Sequence, residues 1–336
     1  MTLITSITKP SRLLIKIEQL GHRIASVALA PLDAAQIDAS LAVLRQHYGP
    51  NMASEHLVPP VRPDELRSDL ATRAPQLVDL AGELSEALEG SLSAIVIPRI
   101  GLSHLSLQER AGVLFALSVA LGEPTATDKV DRRVVWDVKV RKEKVADNSV
   151  STFSEHPYEA DLHTDTQYFP EPERYMLLYV VAPARCGGGV SRIRSLECLR
   201  NELSATEDGR WAIDYLTGRN LPFRIPAVFT HDGKGDGTEV TFASIFDQRP
   251  EVRYRIDTLN RGLQLYPELD TPELRKAIGL VDQAMNNPDR LLQLAMASDS
   301  LQLLNNHTAL HGRSPFSDYE RHVLRIRIAE RGAISK

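Results

Sequence analysis

The sequence predicts an α+β protein, a β-barrel or sandwich flanked by helices, and three observations predict it. Strand-like runs crowd the second half, from Val134 onward. Helical apolar periodicity lies mostly in the first 125 residues or in inserted stretches. Regular strand–helix alternation of the parallel-sheet kind is missing, and no glycine-rich phosphate loop opens a helix.

Taken in order, Leu13-Leu14-Ile15-Lys16-Ile17 and Ile24–Leu29 alternate apolar and polar, giving two strands with a turn at Gly21. Asp33 starts a helix whose apolar face is Ile37, Leu41 and Leu44, and Gly49-Pro50 stops it. Residues 51–75 are rich in proline and charge and read as loop. Leu77–Leu88 is an amphipathic helix. Ser93–Ile97 is a short β-branched run, a buried strand that Pro98 ends. Leu107–Leu121 is a long helix closed by Gly122-Glu123-Pro124, because glycine tolerates a left-handed cap and proline cannot continue. Val134–Val140, Tyr175–Val181, Thr238–Phe242, Val252–Ile256, Leu301–Leu304 and Val323–Ile328 read as strands, with Tyr175–Val181 central. Helices fall at Ser195–Leu203 and Pro272–Met285, the second ended by Asn286-Asn287-Pro288. Gly233–Gly237 reads as a hairpin tip. The expected organisation is one domain over 1–336. A helix-rich part, 1–125, packs on a core, 130–330, that carries a helical insertion at about 195–290.

The bulk properties narrow the function. The chain has 336 residues, 43% of them hydrophobic, enough for a sizeable core. A net charge of −5 gives no general attraction to nucleic acid or anionic membrane. Only two cysteines occur, Cys186 and Cys198, which points to a reducing compartment. The first ten residues lack a basic head and apolar run, and no stretch approaches the roughly 18 apolar residues of a membrane helix. The expectation is a soluble cytoplasmic protein.

Chemistry enters at Asp161-Leu-His163-Thr-Asp165. Residues two apart in an extended segment share a face, so His163 and Asp165 can present an imidazole and a carboxylate to one point. That is two thirds of a 2-His-1-carboxylate triad; read alone, the same residues also fit a solvated turn. The third ligand comes from Leu303–Phe316, where His311 ranks ahead of His307 because the apolar step Ala309-Leu310 leads into it. Arg321 and Arg325 lie four apart in a strand-like stretch and can look the same way. A guanidinium fork there would hold a dicarboxylate, while the plain alternative is a surface basic stripe that includes Arg327. Cys186-Gly187-Gly-Gly189-Val-Ser191 supplies a tight turn and a hydroxyl, or simply a capping serine.

Together these pieces resemble the clavaminate synthase and taurine dioxygenase-like superfamily of Fe(II)/2-oxoglutarate oxygenases. The matching motifs are His163-Thr-Asp165, Gly188-Gly-Val-Ser191, Asn306 with His311-Gly-Arg313, and Arg321-His-Val-Leu-Arg325; Ile95-Val-Ile97 and Leu121-Gly-Glu-Pro124 match further upstream. The resemblance covers most of residues 90–330. It implies a double-stranded β-helix (jelly-roll) core and iron held by His163, Asp165 and His311. It implies 2-oxoglutarate as cosubstrate, its far carboxylate on Arg321 with Ser191, and O₂ as oxidant. Arg325 would support that site or touch substrate. The implied reaction releases succinate and CO₂ and hydroxylates an unactivated C–H of a small polar, amino-acid-derived metabolite. Asp165 fits hydroxylation, since halogenating relatives carry Gly or Ala there. The same chemistry also serves desaturation or cyclisation. A jelly-roll metal enzyme without 2-oxoglutarate and a non-enzymatic binding protein are the other readings. Family positions that line the substrate pocket correspond to Ser149–His156, including Ser154 and Glu155, and to Thr166 and Gln167. Arg313 and Asp318 are further candidates for the charged groups of the substrate.

Overall fold

The computed structural model describes residues 13–128, 130–143, 153–226, 229 and 238–332. The chain opens with β1 (Leu14–Gly21) and β2 (Ile24–Leu29), then α1 (Ala34–Tyr48), α2 (Pro63–Arg73) and α3 (Pro75–Gly90). Next come β3 (Ala94–Ile97), α4 (Leu107–Leu121), β4 (Glu123–Pro124), β5 (Trp136–Lys139), β6 (Ala160–His163), β7 (Tyr175–Ala182) and β8 (Ser191–Ser195). After α5 (Leu196–Ser204) and α6 (Glu207–Leu216) follow β9 (Leu221–Arg224), β10 (Val240–Ala243), α7 (Ile256–Leu265) and α8 (Pro272–Met285). The chain ends on β11 (Leu292–Leu294), β12 (Leu301–Asn305), β13 (Ala309–Arg313) and β14 (His322–Ala329). This is a mixed α and β fold.

An eight-stranded sheet runs β1-β2-β3-β12-β7-β14-β4, with β5 also on β14, and a four-stranded sheet runs β11-β8-β13-β6. β7 is central, flanked by β12 and β14. Alternation along its strands gives the large sheet two different faces. Leu177, Tyr179, Leu303, Leu324 and Ile326 face outward and join one apolar core with α1 to α4. Met176, Leu304 and Val96 face inward and meet Ile193 and Ala309 of the smaller sheet. A second large core gathers α5 to α8 around Phe223, Leu259 and Ile278. The helix ends follow local rules: Asp33 caps α1, accepting from the Ala35 N–H, and Ser106 with Glu109 forms a capping box on α4.

Three expectations are corrected. Residues 51–75 are not all loop, because α2 occupies Pro63–Arg73. Only Leu66 and Leu70 of that helix are buried, so one apolar pair among charges left too thin a period to read. The stretch Val252–Ile256 is not a strand. Val252 makes an isolated bridge to Phe246, and Ile256 opens α7; the apolar spacing there serves a helix start instead. The serine that caps α5 is Ser195, not Ser191, because Ser191–Ser195 is a strand. The hairpin tip expected at Gly233–Gly237 lies outside the described residues, although β9 and β10 on either side of it pair antiparallel.

The inserted helices are packed closely enough to be tested. A Cβ at Gly262 of α7 would come within 1.8 Å of the Pro222 carbonyl oxygen on β9. Backbone cannot yield as a flexible side chain can, so Gly262→Ala should lower stability by about 1–3 kcal/mol. A shifted urea midpoint at constant slope checks this; an unchanged midpoint would show that α7 rides free of β9.

Candidate metal centre

β6 and β13 are antiparallel neighbours, with His163 opposite His311 in register. Directly opposed residues project to the same face, so backbone pairing alone brings the two imidazoles together, ring centroids 4.2 Å apart. The chain then leaves β6, and Asp165 turns its carboxylate back. Asp165 Oδ1 lies 3.4 Å from His163 Nε2 and 3.8 Å from His311 Nε2. One ligand atom from each residue falls within 4.8 Å of the others, and all three residues are buried.

The donor set fits a transition metal. The Nδ1–H of His163 donates to the Asp161 carbonyl at 2.7 Å, which leaves the Nε2 lone pair free. Burial, and then the neighbouring His163, push His311 down to about 3, so it is a neutral ligand near pH 7. Burial works to raise the Asp165 carboxyl, but the positive charge of Arg325 beside it holds it well below the usual carboxylate range. Asp165 Oδ2 and His311 Nδ1 are buried with no hydrogen-bond partner among the described residues. The atoms that converge are the other ones, Asp165 Oδ1 and the two Nε2 atoms, and a dication seated among them would add to Arg325 in compensating the buried carboxylate. Two imidazoles and one carboxylate on one side leave the opposite coordination positions open.

Asn306, immediately after β12, holds Asp165 from both sides of its peptide plane. Its Oδ1 accepts from the Asp165 N–H at 2.8 Å, and its Nδ2 donates to the carbonyls of Asp165 (3.1 Å) and Glu173 (2.9 Å). Thr164 is pinned as well: its N–H donates to the Tyr254 carbonyl at 2.8 Å, and its hydroxyl accepts from the Tyr254 N–H at 3.1 Å. His307, the competing histidine, faces elsewhere. Its Nε2–H donates to the Pro172 carbonyl, and Arg174 Nη1 lies 3.2 Å from its Nδ1.

The arginines are interior residues. Arg325 Nη1 lies 3.4 Å from Asp165 Oδ2, and Arg327, on the same face of β14, is 2% exposed, so the surface-stripe alternative fails. Arg321 precedes β14, is buried, and has no acidic partner among the described residues. Burial brings it down to about 10. It lies across the Gly188-Gly189 turn: a Cβ on Gly189, whose φ is +71°, would meet Arg321 Nε at 3.0 Å. Ser191 starts β8 two residues on, opposite Arg313.

The substrate candidates divide. Residues 149–152 of the expected pocket segment lie outside the described residues. Ser154, Glu155, Thr166 and Gln167 are all buried. The Thr166 hydroxyl donates to Glu173, and Gln167 Nε2 donates to the Thr258 hydroxyl at 2.7 Å, leaving Gln167 Oε1 without a partner among the described residues. Arg313 and Asp318 have protein partners already. The guanidinium of Arg313 donates to the carbonyls of Phe153, His156 and Tyr158, tying down the segment before β6. Asp318 is an exposed loop carboxylate that accepts from the N–H groups of Arg185 and Glu320. Reading Val252–Ile256 as strand also hid Arg255. Its guanidinium lies 4.3 Å over Phe153 and is held by Asp257, and the Phe153 ring centroid is 5.4 Å from that of His163.

Residues 55–327 match the profile of the taurine catabolism dioxygenase TauD, TfdA family, and the chain belongs to that family. Its fold is similar to that of an asparagine oxygenase solved with Fe(II), 3-hydroxyasparagine and succinate, at TM-score 0.65 and 15% identity, covering 90% of this chain and 93% of that one. It is also similar to the non-haem iron oxygenase OrfP solved with iron and α-ketoglutaric acid, at TM-score 0.62 and 18% identity over 90% and 93% of the two chains. No curated protein matches in sequence. Among the described residues no helix is long and apolar enough to cross a membrane.

If Asn306 sets the position of Asp165, Asn306→Ala should weaken Co(II) binding by about 10–100-fold, as loss of a supporting hydrogen bond does. Isothermal titration measures this; an unchanged affinity would remove Asn306 from the site.

Proposed function

We propose that this chain is a non-haem iron oxygenase that uses 2-oxoglutarate and O₂ to hydroxylate an unactivated C–H of a small, amino-acid-derived metabolite. The observation that carries the reading is the convergence of His163, Asp165 and His311 in a chain that also buries Arg321 with no acidic partner among the described residues. Two imidazoles and a carboxylate suit Fe(II), and an unpaired guanidinium in a buried site suits the far carboxylate of a dicarboxylate. The strands support a double-stranded β-helix: β5, β14, β7 and β12 form one face and β6, β13, β8 and β11 the other, with β1 to β3 extending the first. The whole chain then works as one oxygenase domain.

In this reading His163, Asp165 and His311 hold the iron. Bound there, iron supplies the oxidative decarboxylation of 2-oxoglutarate to succinate and CO₂ that makes an unactivated C–H bond reactive. Arg321 anchors the far carboxylate of the cosubstrate, and Ser191 adds a hydroxyl beside it. Arg325, against Asp165, faces the side where substrate must approach. Asp165 keeps its ligand position filled, so that position has no room for a halide, which favours hydroxylation over halogenation. An amino-acid-derived substrate is supported by the buried polar side chains of Ser154, Glu155 and Gln167, and by similar structures that hold hydroxyasparagine and hydroxy-Arg.

Anaerobic protein with Fe(II) and 2-oxoglutarate should develop a weak visible charge-transfer band, and its absence would overturn the reading. His163→Ala and Asp165→Ala should each abolish the band and succinate formation; turnover surviving in both would remove the ligand assignment. Arg321→Ala should raise KM for 2-oxoglutarate by about 10–100-fold, the effect of one lost charge-assisted interaction, with kcat changed far less. An unaltered KM would move the anchoring role to Arg325.

A further inference from the structure

The inward face of the large sheet holds a polar row where a core row is expected. The registers Val96↔Gln302, Gln302↔Leu178, Leu178↔Arg325 and Arg325↔Trp136 place five residues side by side across β3, β12, β7, β14 and β5. Paired residues share a face. The next row, Ala94, Leu304 and Met176, is apolar up to Arg327 and packs on the smaller sheet. In the polar row, Trp136 Nε1, Arg325 Nε and Gln302 Oε1 are all buried with no partner among the described residues. Three orphaned polar atoms in one row are unusual in a native interior. They are expected where a ligand completes the bonding.

We infer that Trp136 is a substrate-binding residue, its indole N–H working beside Arg325 as a second donor to a carboxylate of the substrate. The inference rests on the proposed function and deepens it. Indole Nε1–H and guanidinium are donors only, and neighbouring strands set their backbones roughly 5 Å apart. A pair with donors and no acceptor selects an acceptor-only group, and a carboxylate is that group. Arg325 Nη1 is turned to Asp165 Oδ2 at 3.4 Å, while its Nε is buried without a partner among the described residues and is free for a second anion. A carboxylate held at Arg325 and Trp136 therefore lies beside the triad, and the rest of the substrate is carried across the open side of the metal. The indole is held in place from outside the row. Arg133 stacks 4.5 Å over its ring and is itself tied to Asp128 at 3.1 Å. Cation–π contact fixes the ring plane while leaving the N–H free.

The chain has two tryptophans, Trp136 and Trp211, so Trp211→Phe leaves Trp136 as the sole indole reporter. The anaerobic Fe(II)·2-oxoglutarate complex of that variant is titrated with each common L-amino acid and with the matching α-carboxamide. At least one acid should shift the Trp136 emission saturably, and its carboxamide should not at the same concentration. Trp136→Phe, which keeps a ring and removes the N–H, should bind that acid about tenfold more weakly, the effect of one lost hydrogen bond to a charged group. Binding is followed by perturbation of the visible band. The inference is overturned if an acid perturbs the band while Trp136 emission stays still, if Trp136→Phe binds it as tightly, or if no acid shifts the emission. The band itself reports on the proposed function. A complex that shows the band with a silent Trp136 confines the failure to this inference, whereas a missing band defeats the function on which it rests.

Discussion

The antiparallel pairing of β6 with β13 is the constraint on which the site depends. It sets His163 directly against His311, and a slip of one residue would send one imidazole to the opposite face. Register is secured from outside the pair. β13 also pairs with β8 along its whole length, from Ala309↔Ser195 to Arg313↔Ser191. Arg313 then ties the segment entering β6 to β13 through three carbonyls. The ladder is irregular between His311 and Arg313, directly beside the His163–His311 pair, so the unbroken pairing of β13 with β8, which sets His311 opposite Ile193, is what holds the register there.

The second constraint is electrostatic. Asp165 is buried among cations: Arg325 touches it and Arg327 acts on it through space. Glu173 answers that charge, accepting from the hydroxyls of Thr125 and Thr166 and stabilising Arg327. The arrangement keeps Asp165 ionised in a place where burial alone would neutralise it. Asn306 links the two acidic residues, because one amide bonds the backbone of both.

Much of this was legible in sequence wherever a local rule applied. The Asp33 cap, the Gly49 stop, α4 and α8 follow from capping and period. The inward and outward faces of β7 and β14 follow from alternation. His163 and Asp165 were visible as a pair because their relation is two residues long. What was hidden was non-local. The amide clamp of Asn306 acts on a residue 141 positions away. The row of Trp136, Arg325 and Gln302 exists only across three registers, and Trp136 carries no motif. α2 was hidden because its buried face is two leucines. The carbonyl partners of Arg313 and the exposed loop position of Asp318 were hidden because charge near a motif reads the same whether it meets a ligand, a carbonyl or water.

Phe316 stands between two guanidiniums, Arg313 at 4.8 Å and Arg321 at 5.2 Å from its centre. Neither cation has a carboxylate beside it among the described residues, and each lowers its cost of burial against the electron-rich face of the ring. The benzene ring therefore acts as a shared partner for a cation that anchors a loop and one that has no acid beside it among the described residues. An aliphatic residue of equal bulk would fill the gap but screen nothing. A substitution at this loop position would thus be felt at both guanidiniums through their mutual repulsion.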